Sequence, residues 1–173
     1  GTLGVITAAS LKLLAPLAGR ETVLVGVPSP AAALALLHRL KAATGAVSAF
    51  EFMNRLAVNL VIKNVPGTRD PMPEAELLAL IECEAAHSDG LRESLESALA
   101  SALGAGEAHA VLLAQNPSQA RDFWRIREAI AAAHRPEGAQ VSHDVSVPVS
   151  QVPTLLARAD AAMRARCPGV RVV

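Results

Sequence analysis

Aromatic side chains are nearly missing from this chain of 173 residues, which has three Phe, one Trp and no Tyr, 2% in all. Hydrophobic residues nevertheless make up 51% of the sequence. Leu, Val, Ile and Ala must therefore build the core, and a core of this size suits one domain, or one domain with part of another.

An excess of charge of one sign is also missing, since 16 Lys and Arg balance 16 Asp and Glu. A neutral chain without a basic run argues against a nucleic-acid partner. No apolar run is long enough to span a membrane, and no signal-peptide pattern opens the sequence. Cys83 and Cys167 form no metal-ligand spacing, so we expect them to be free and buried. Together these absences predict a cytoplasmic protein.

Hydrophobic periodicity divides the chain into alternating strands and helices. Strands are predicted over 22–27, 47–53, 76–84, 108–115, 140–149 and 170–173, and helices over 31–43, 54–63, 91–103, 118–134 and 152–166. The segments 22–53 and 77–115 share a strand–helix–strand spacing, which indicates two split βαβ halves. The predicted fold class is α+β: a ferredoxin-like antiparallel sheet with helices packed on one face. A doubly wound sheet is not favoured, because no glycine-rich turn follows the first complete strand.

An arginine borders the apolar stripe of the fourth predicted helix. Phe123 and Ile126 lie on that stripe, and Arg127 stands at its edge. A guanidinium there is costly unless an anion meets it, and its planar fork suits a carboxylate. Spacing alone leaves open a substrate carboxylate, solvation, or a structural ion pair with Glu128 or Asp122, and favours the last two.

The segment 140–149 alternates between apolar and small polar residues. Ser142 and Asp144 share one face of the predicted strand, while His143 lies on the apolar face and is expected in the core. Glu82 and Glu84 share a face of the strand 76–84, where two solvated carboxylates are favoured over an acid–base pair. The five histidines show no metal-ligand spacing, so no metal site is predicted within the chain.

Two runs of specific residues carry a family resemblance. The stretch RDFWRIREAI, AHRPEG and VSHDVSVPVS (121–150) and the opening GTLGVITAASLKLL (1–14) resemble the C-terminal domain of FAD-linked oxidases, flavoproteins of the vanillyl-alcohol oxidase type. The opening is similar to the end of that family's flavin-contacting Gly-Ser-Glu-Gly-Thr-Leu-Gly loop. The family includes D-2-hydroxyglutarate dehydrogenase, D-lactate dehydrogenase and the FAD subunit of glycolate oxidase.

The resemblance implies an oxidoreductase that converts a D-2-hydroxy acid (D-lactate, glycolate or D-2-hydroxyglutarate) to the 2-oxo acid by hydride transfer to flavin. Arg127 stands where relatives bind the substrate carboxylate, and Ser142 is the second expected substrate-binding position. Many relatives carry a lysine in place of Ser142, so this departure fits a monocarboxylate, or a different anchor for a second carboxylate outside this sequence, better than a dicarboxylate bound at this position. The catalytic base stays unassigned, and so does the electron acceptor.

The same resemblance implies FAD, contacted through the backbone of four residues at the start of the chain: Gly1, Thr2, Gly4 and Ile6. Residues 1–20 then form the end of a FAD-binding domain and a connector, and 21–173 form a C-terminally incomplete substrate, or cap, domain. We expect such a fragment to be inactive alone, because FAD is held mainly by the N-terminal domain.

Further expectations concern metals and partners. Relatives that use a divalent metal hold it in a His-x-Gly-Asp-Gly-Asn-x-His stretch, which this sequence lacks, so any such ligands lie outside it. The intact enzyme is compatible with a homodimer. The alternative from another class is a free-standing ferredoxin-like module that binds a small ligand or a protein without turnover.

Overall fold

Strands and helices alternate in the computed structural model, which describes residues 2–13 and 17–173. The strands in this part of the chain are β1 (Gly19–Gly26), β2 (Val47–Asn54), β3 (Leu77–Ala85) and β4 (Ala110–Leu113). The helices are α1 (Pro30–Thr44), α2 (Arg55–Asn64), α3 (Leu91–Gly104), α4 (Pro117–Ala133) and α5 (Val152–Arg166). None of the helices in the described residues is long and apolar enough to cross a membrane.

The four strands form one antiparallel sheet in the order β2-β3-β1-β4. Leu24 of β1 lies opposite Leu80 of β3 on one side and Leu112 of β4 on the other. The two βαβ halves therefore interlock as in a ferredoxin-like fold. The predicted α+β class and its antiparallel sheet are confirmed.

Both faces of the sheet are covered by helices. Val23 and Val25 pack with α1 and α3 in one core, and Leu24 packs with α2 and α4 in the other. The sequence predicted helices on one face of the sheet, and α2 and α4 form a second layer on the other face. This second layer forms because β1 and β3 carry continuous apolar runs, and strands buried on both faces lose the polar alternation of a half-exposed sheet.

Two predicted strands are not formed. The segments 140–149 and 170–173 contain no β-strand, and the backbone of neither pairs with the sheet. Residues 141–146 are exposed, with Val141 at 82%, so the prediction that His143 lies in the core is wrong. An alternating pattern needs a neighbouring strand to accept and donate its backbone hydrogen bonds. The backbone of 140–149 pairs with neither edge strand of the described sheet, β2 or β4.

The two cysteines are free thiols in different surroundings. Cys83 is buried in β3, and this burial raises the pKa of its thiol. Cys167 is exposed just after α5, so the expectation of a buried thiol is wrong there. An exposed residue beyond a helix end has no apolar layer to enter.

Candidate functional site

Helix α4 carries the predicted site and is fixed at both its start and its middle. The Asn116 side chain accepts a hydrogen bond from the Gln119 backbone N–H at 3.0 Å, and Pro117 follows at the first helical position. Phe123 and Ile126 are buried in the core shared with α2, each with 3% of its surface exposed. These anchors hold the surface of α4 that bears Arg127.

Arg127 forms a salt bridge with Glu51 of β2. The Arg127 Nε lies 3.0 Å from Glu51 Oε2, and 45% of the arginine side chain and 33% of the glutamate side chain are exposed. The sequence placed an ion pair with Glu128 or Asp122 among the alternatives, but the observed partner comes from another element. The guanidinium is thus paired at the protein surface, neither free in bulk water nor neutralised in the interior.

Glu51 has a position that spacing along α4 could not indicate. It lies opposite Leu80 in the β2–β3 ladder, on the face that α2 and α4 cover. Its sequence signal is modest: it is the polar residue between Phe50 and Phe52, whose side chains pack on the opposite core. Alternation along the strand is enough to place Glu51 on the face opposite these phenylalanines, but it does not name the partner of Glu51.

Ser142 lies in neither a helix nor a strand. The structure places it in the exposed, irregular segment that precedes α5, and no hydrogen bond joins it to Arg127 within the described residues. The predicted polar strand face beside Arg127 is therefore not formed here. A role for Ser142 in substrate binding stays a prediction.

The expected flavin contacts fall on the first residues of the chain. Gly1 lies outside the described residues, whereas Thr2, Gly4 and Ile6 belong to an exposed segment, 2–13, without helix or strand. The Ile6 side chain is 87% exposed, and no atom lies within 4 Å of the point where a Cβ of Gly4 would stand. An open glycine backbone beside exposed apolar side chains fits close approach by a flat, partly apolar group such as a flavin.

A groove of about 1000 Å³, lined by charged and amide side chains together with apolar ones, lies between α4 and the ends of β1 and β3. Within it, Glu82 Oε2 accepts hydrogen bonds from Trp124 Nε1 at 3.1 Å and from Thr22 Oγ1 at 3.4 Å. Arg20 donates to Glu84 from both Nε and Nη2, and this bond raises the pKa of Arg20. Glu82 and Glu84 are thus hydrogen-bonded side chains, each with only 15% of its surface exposed, and not the solvated pair that was favoured.

The turn after α4 is fixed by a single carboxylate. Glu137 Oε1 accepts from Asn64 Nδ2 at 2.7 Å and from Lys63 Nζ at 2.8 Å, while Oε2 accepts from Arg171 Nη1 at 3.0 Å. These donors, Asn64 first, lower the pKa of Glu137 to about 2. The Pro-Glu-Gly turn thereby connects the end of α4 and the C-terminal segment to α2.

Comparison with known proteins adds an independent finding. Residues 18–173 match the family described as FAD linked oxidases, C-terminal domain. A mitochondrial D-2-hydroxyglutarate dehydrogenase of Arabidopsis thaliana is 32% identical over 154 residues, which are 88% of this chain and 28% of that protein. A D-2-hydroxyglutarate dehydrogenase of Xanthomonas citri pv. viticola is 27% identical over the whole chain, which covers 36% of its length.

The chain therefore spans about a third of the length of the curated relatives it matches. The names of these relatives also bear on location. The enzymes of Arabidopsis thaliana and Rattus norvegicus are named as mitochondrial, whereas the Xanthomonas name gives no compartment. The predicted cytoplasmic location is wrong by this comparison, because the absence of a signal-peptide pattern does not distinguish cytoplasm from mitochondrion.

Proposed function

Because the chain belongs to the FAD linked oxidase C-terminal domain family, we propose that it is the substrate-side part of a FAD-dependent dehydrogenase acting on a D-2-hydroxy acid. The observation that carries the proposal is the family match over 18–173, joined by relatives named D-2-hydroxyglutarate dehydrogenase. FAD, when bound, supplies the acceptor for the hydride that leaves the substrate α-carbon. Residues 21–173 form the substrate domain, and 1–20 end the FAD-binding part and connect the two.

Arg127 binds the substrate carboxylate in this proposal. Its support is the surface position on α4 and the absence, within the described residues, of any hydrogen-bond partner for its two Nη atoms. A carboxylate meeting that free edge forms two parallel charge-assisted hydrogen bonds. The existing pair with Glu51 engages Nε, so a substrate carboxylate can meet the Nη atoms without breaking it.

Thr2, Gly4 and Ile6 contact the flavin in this proposal, and Gly1 does so by extension of the same segment. The support is the exposed backbone at 2–13, which forms no helix or strand, and the open space at Gly4. Glycine lets a ring or phosphate approach the backbone without a Cβ in the way. The chemistry of the hydride step belongs to the cofactor, and these residues only position it.

In the finer form of the proposal, the substrate is a short monocarboxylate such as D-lactate or glycolate. Its support is Ser142, which offers a hydroxyl but no positive charge for a second carboxylate. The relatives' names favour D-2-hydroxyglutarate instead. The two substrate assignments are distinguished by the ratio of kcat/KM for D-2-hydroxyglutarate to kcat/KM for D-lactate. Introducing a cation by Ser142→Lys should raise kcat/KM for D-2-hydroxyglutarate relative to D-lactate, and an unchanged ratio would remove Ser142 from the site.

The test of the overall function uses the full-length protein, purified with FAD, and an artificial electron acceptor. A panel of D-lactate, glycolate and D-2-hydroxyglutarate should yield the 2-oxo acid from at least one of them. Arg127→Ala should lower kcat/KM, chiefly through a higher KM. The loss should correspond to about 1.5–3 kcal/mol of transition-state stabilisation, because a charged hydrogen bond is lost. Arg158→Ala, which removes an exposed arginine of α5, serves as the control.

Two results would contradict the proposal. Retention of full kcat/KM in Arg127→Ala would exclude the arginine from substrate binding. A full-length protein that carries no flavin and oxidises none of the three acids would favour the alternative, a ferredoxin-like module that binds a ligand without turnover.

A further inference from the structure

We propose that Glu51 is a positioning residue that aims the Arg127 guanidinium at the substrate carboxylate. This inference rests on the proposed function, because it assigns Arg127 an anion to bind. It concerns a residue of β2 that lies outside the α4 motif.

Glu51 approaches the arginine closest at Nε. Its Oε2 lies 3.0 Å from that atom in a salt bridge, and no guanidinium nitrogen of Arg127 donates a side-chain hydrogen bond within the described residues. A guanidinium presents a side edge that includes Nε and an end edge formed by the two Nη atoms. The salt bridge therefore holds the guanidinium on its Nε side and leaves the two Nη atoms available to a second carboxylate.

Both residues stand on firmly packed elements. The strand neighbours of Glu51, Phe50 and Phe52, pack on one core, while Met53 is buried in the other with 4% of its surface exposed. The backbone of β2 is thus held from both faces at this point. Since α4 is anchored by Phe123 and Ile126, the separation between the two backbones is fixed, and the salt bridge limits the rotamers of a long side chain.

Other arginines near α4 are used differently. Arg20 donates from both Nε and Nη2 to Glu84, so its side edge and part of its end edge are occupied. Arg125 donates from Nη2 to the Pro66 backbone carbonyl at 2.9 Å, which fixes the 65–73 loop. Among these three arginines, Arg127 alone has a carboxylate beside Nε while neither Nη donates a hydrogen bond within the described residues.

The charge of Glu51 and its control of orientation predict different effects on KM and kcat. Measuring both constants therefore separates a positioning role from simple neutralisation of Arg127. A carboxylate beside Nε weakens the attraction of Arg127 for a substrate anion, so removing it should not raise KM. The same carboxylate keeps the guanidinium in one orientation, and losing it leaves the bound acid misaligned for hydride removal. A positioning role therefore predicts a lower kcat with an unchanged or lower KM.

The experiment is made on the full-length, FAD-loaded enzyme with its best 2-hydroxy acid. We expect Glu51→Gln to lower kcat about tenfold while KM stays the same or falls. Glu51→Asp keeps the charge on the same strand position and should give an intermediate kcat. The matched control is Asp160→Asn, which breaks a similarly exposed salt bridge, with Arg164 on α5, and should leave both constants unchanged.

The possible outcomes test the positioning role of Glu51 and the proposed function separately. A kcat within about twofold of wild type in Glu51→Gln would overturn the positioning role, and so would a loss that only follows a lower melting temperature in both Glu51 variants. A wild-type enzyme that oxidises no 2-hydroxy acid would overturn the proposed function and this inference together. A wild type that turns over, with Arg127→Ala impaired and Glu51→Gln normal, would overturn this inference alone.

Discussion

The second helical layer, which positions Arg127, can be tested with two adjacent residues of β3. Leu80 and Ile81 are both fully buried, but Leu80 packs with α2 and α4 while Ile81 packs with α1 and α3. Truncating either to Ala removes buried methyl groups and leaves a cavity, which costs about 2–5 kcal/mol. Because Leu80 lies between strand neighbours that cannot collapse into the gap, we expect about 3 kcal/mol or more for Leu80→Ala.

The assay separates the two faces by the tryptophan signal. Trp124 is the single tryptophan of the 173-residue chain and packs against the core that contains Leu80. Urea unfolding followed by circular dichroism should show similar losses in the free energy of unfolding for Leu80→Ala and Ile81→Ala. Thermal unfolding should show each melting temperature lowered by about 6–12 °C for a 3 kcal/mol loss. Only Leu80→Ala should change the native-state fluorescence of Trp124. A loss below about 1 kcal/mol for Leu80→Ala would refute the packing of α2 and α4 on this face.

Three further predictions concern local stability. Glu137, whose folded pKa of about 2 lies below its ordinary 4.5, contributes stability that is full above about pH 4.5 and is lost as pH falls towards 2. Glu137→Gln should therefore flatten the acid limb of a stability–pH curve, and an unaltered limb would contradict the assignment. Ser29→Ala should cost about 1 kcal/mol in urea unfolding, since the Ser29 hydroxyl caps α1 by accepting from the Ala32 N–H at 3.1 Å. Gly19→Ala should destabilise by about 1–3 kcal/mol, because its Cβ would stand 2.8 Å from the His87 backbone oxygen, and a neutral substitution would show that this backbone yields.

Most of the helices and strands could be predicted from the sequence, because the residues that form the recognisable pattern are the same residues that begin, end and bury each element. The helix that became α1 has Ser29 as its cap, a proline at its start and Gly45 at its end, and it spans Pro30–Thr44 against a predicted 31–43. The strands β1 to β4 carry apolar runs bounded by turns, and they lie close to their predicted positions. Their similar spacing in two halves was enough to indicate the ferredoxin-like sheet.

The segment 140–149 shows the limit of that reasoning. Its alternation of valine with small polar residues is the pattern of a strand with one wet face, yet Val141 and Val145 are 82% and 66% exposed. Period-two alternation reports which side chains would share a face, but a strand exists only where another strand satisfies its backbone. The expected position of Ser142 depended on that missing partner, whereas Arg127 depended only on the helix that carries it.

The Glu51–Arg127 pair shows why the site itself was harder to predict than the elements that build it. Spacing on a helix identifies partners three or four residues away, so Asp122 and Glu128 were the neighbours available to reasoning from sequence. The observed partner comes from β2, and it meets Arg127 because β2 takes the edge position beside β3 while α4 packs over the same sheet face. The edge position of β2 follows from the ferredoxin-like strand order, but the packing of α4 over the second sheet face does not, and no local pattern in the sequence encodes it. Two mobile side chains from distant segments thus become a defined pair only after both cores have formed, and this makes the orientation of Arg127 a property of the whole fold.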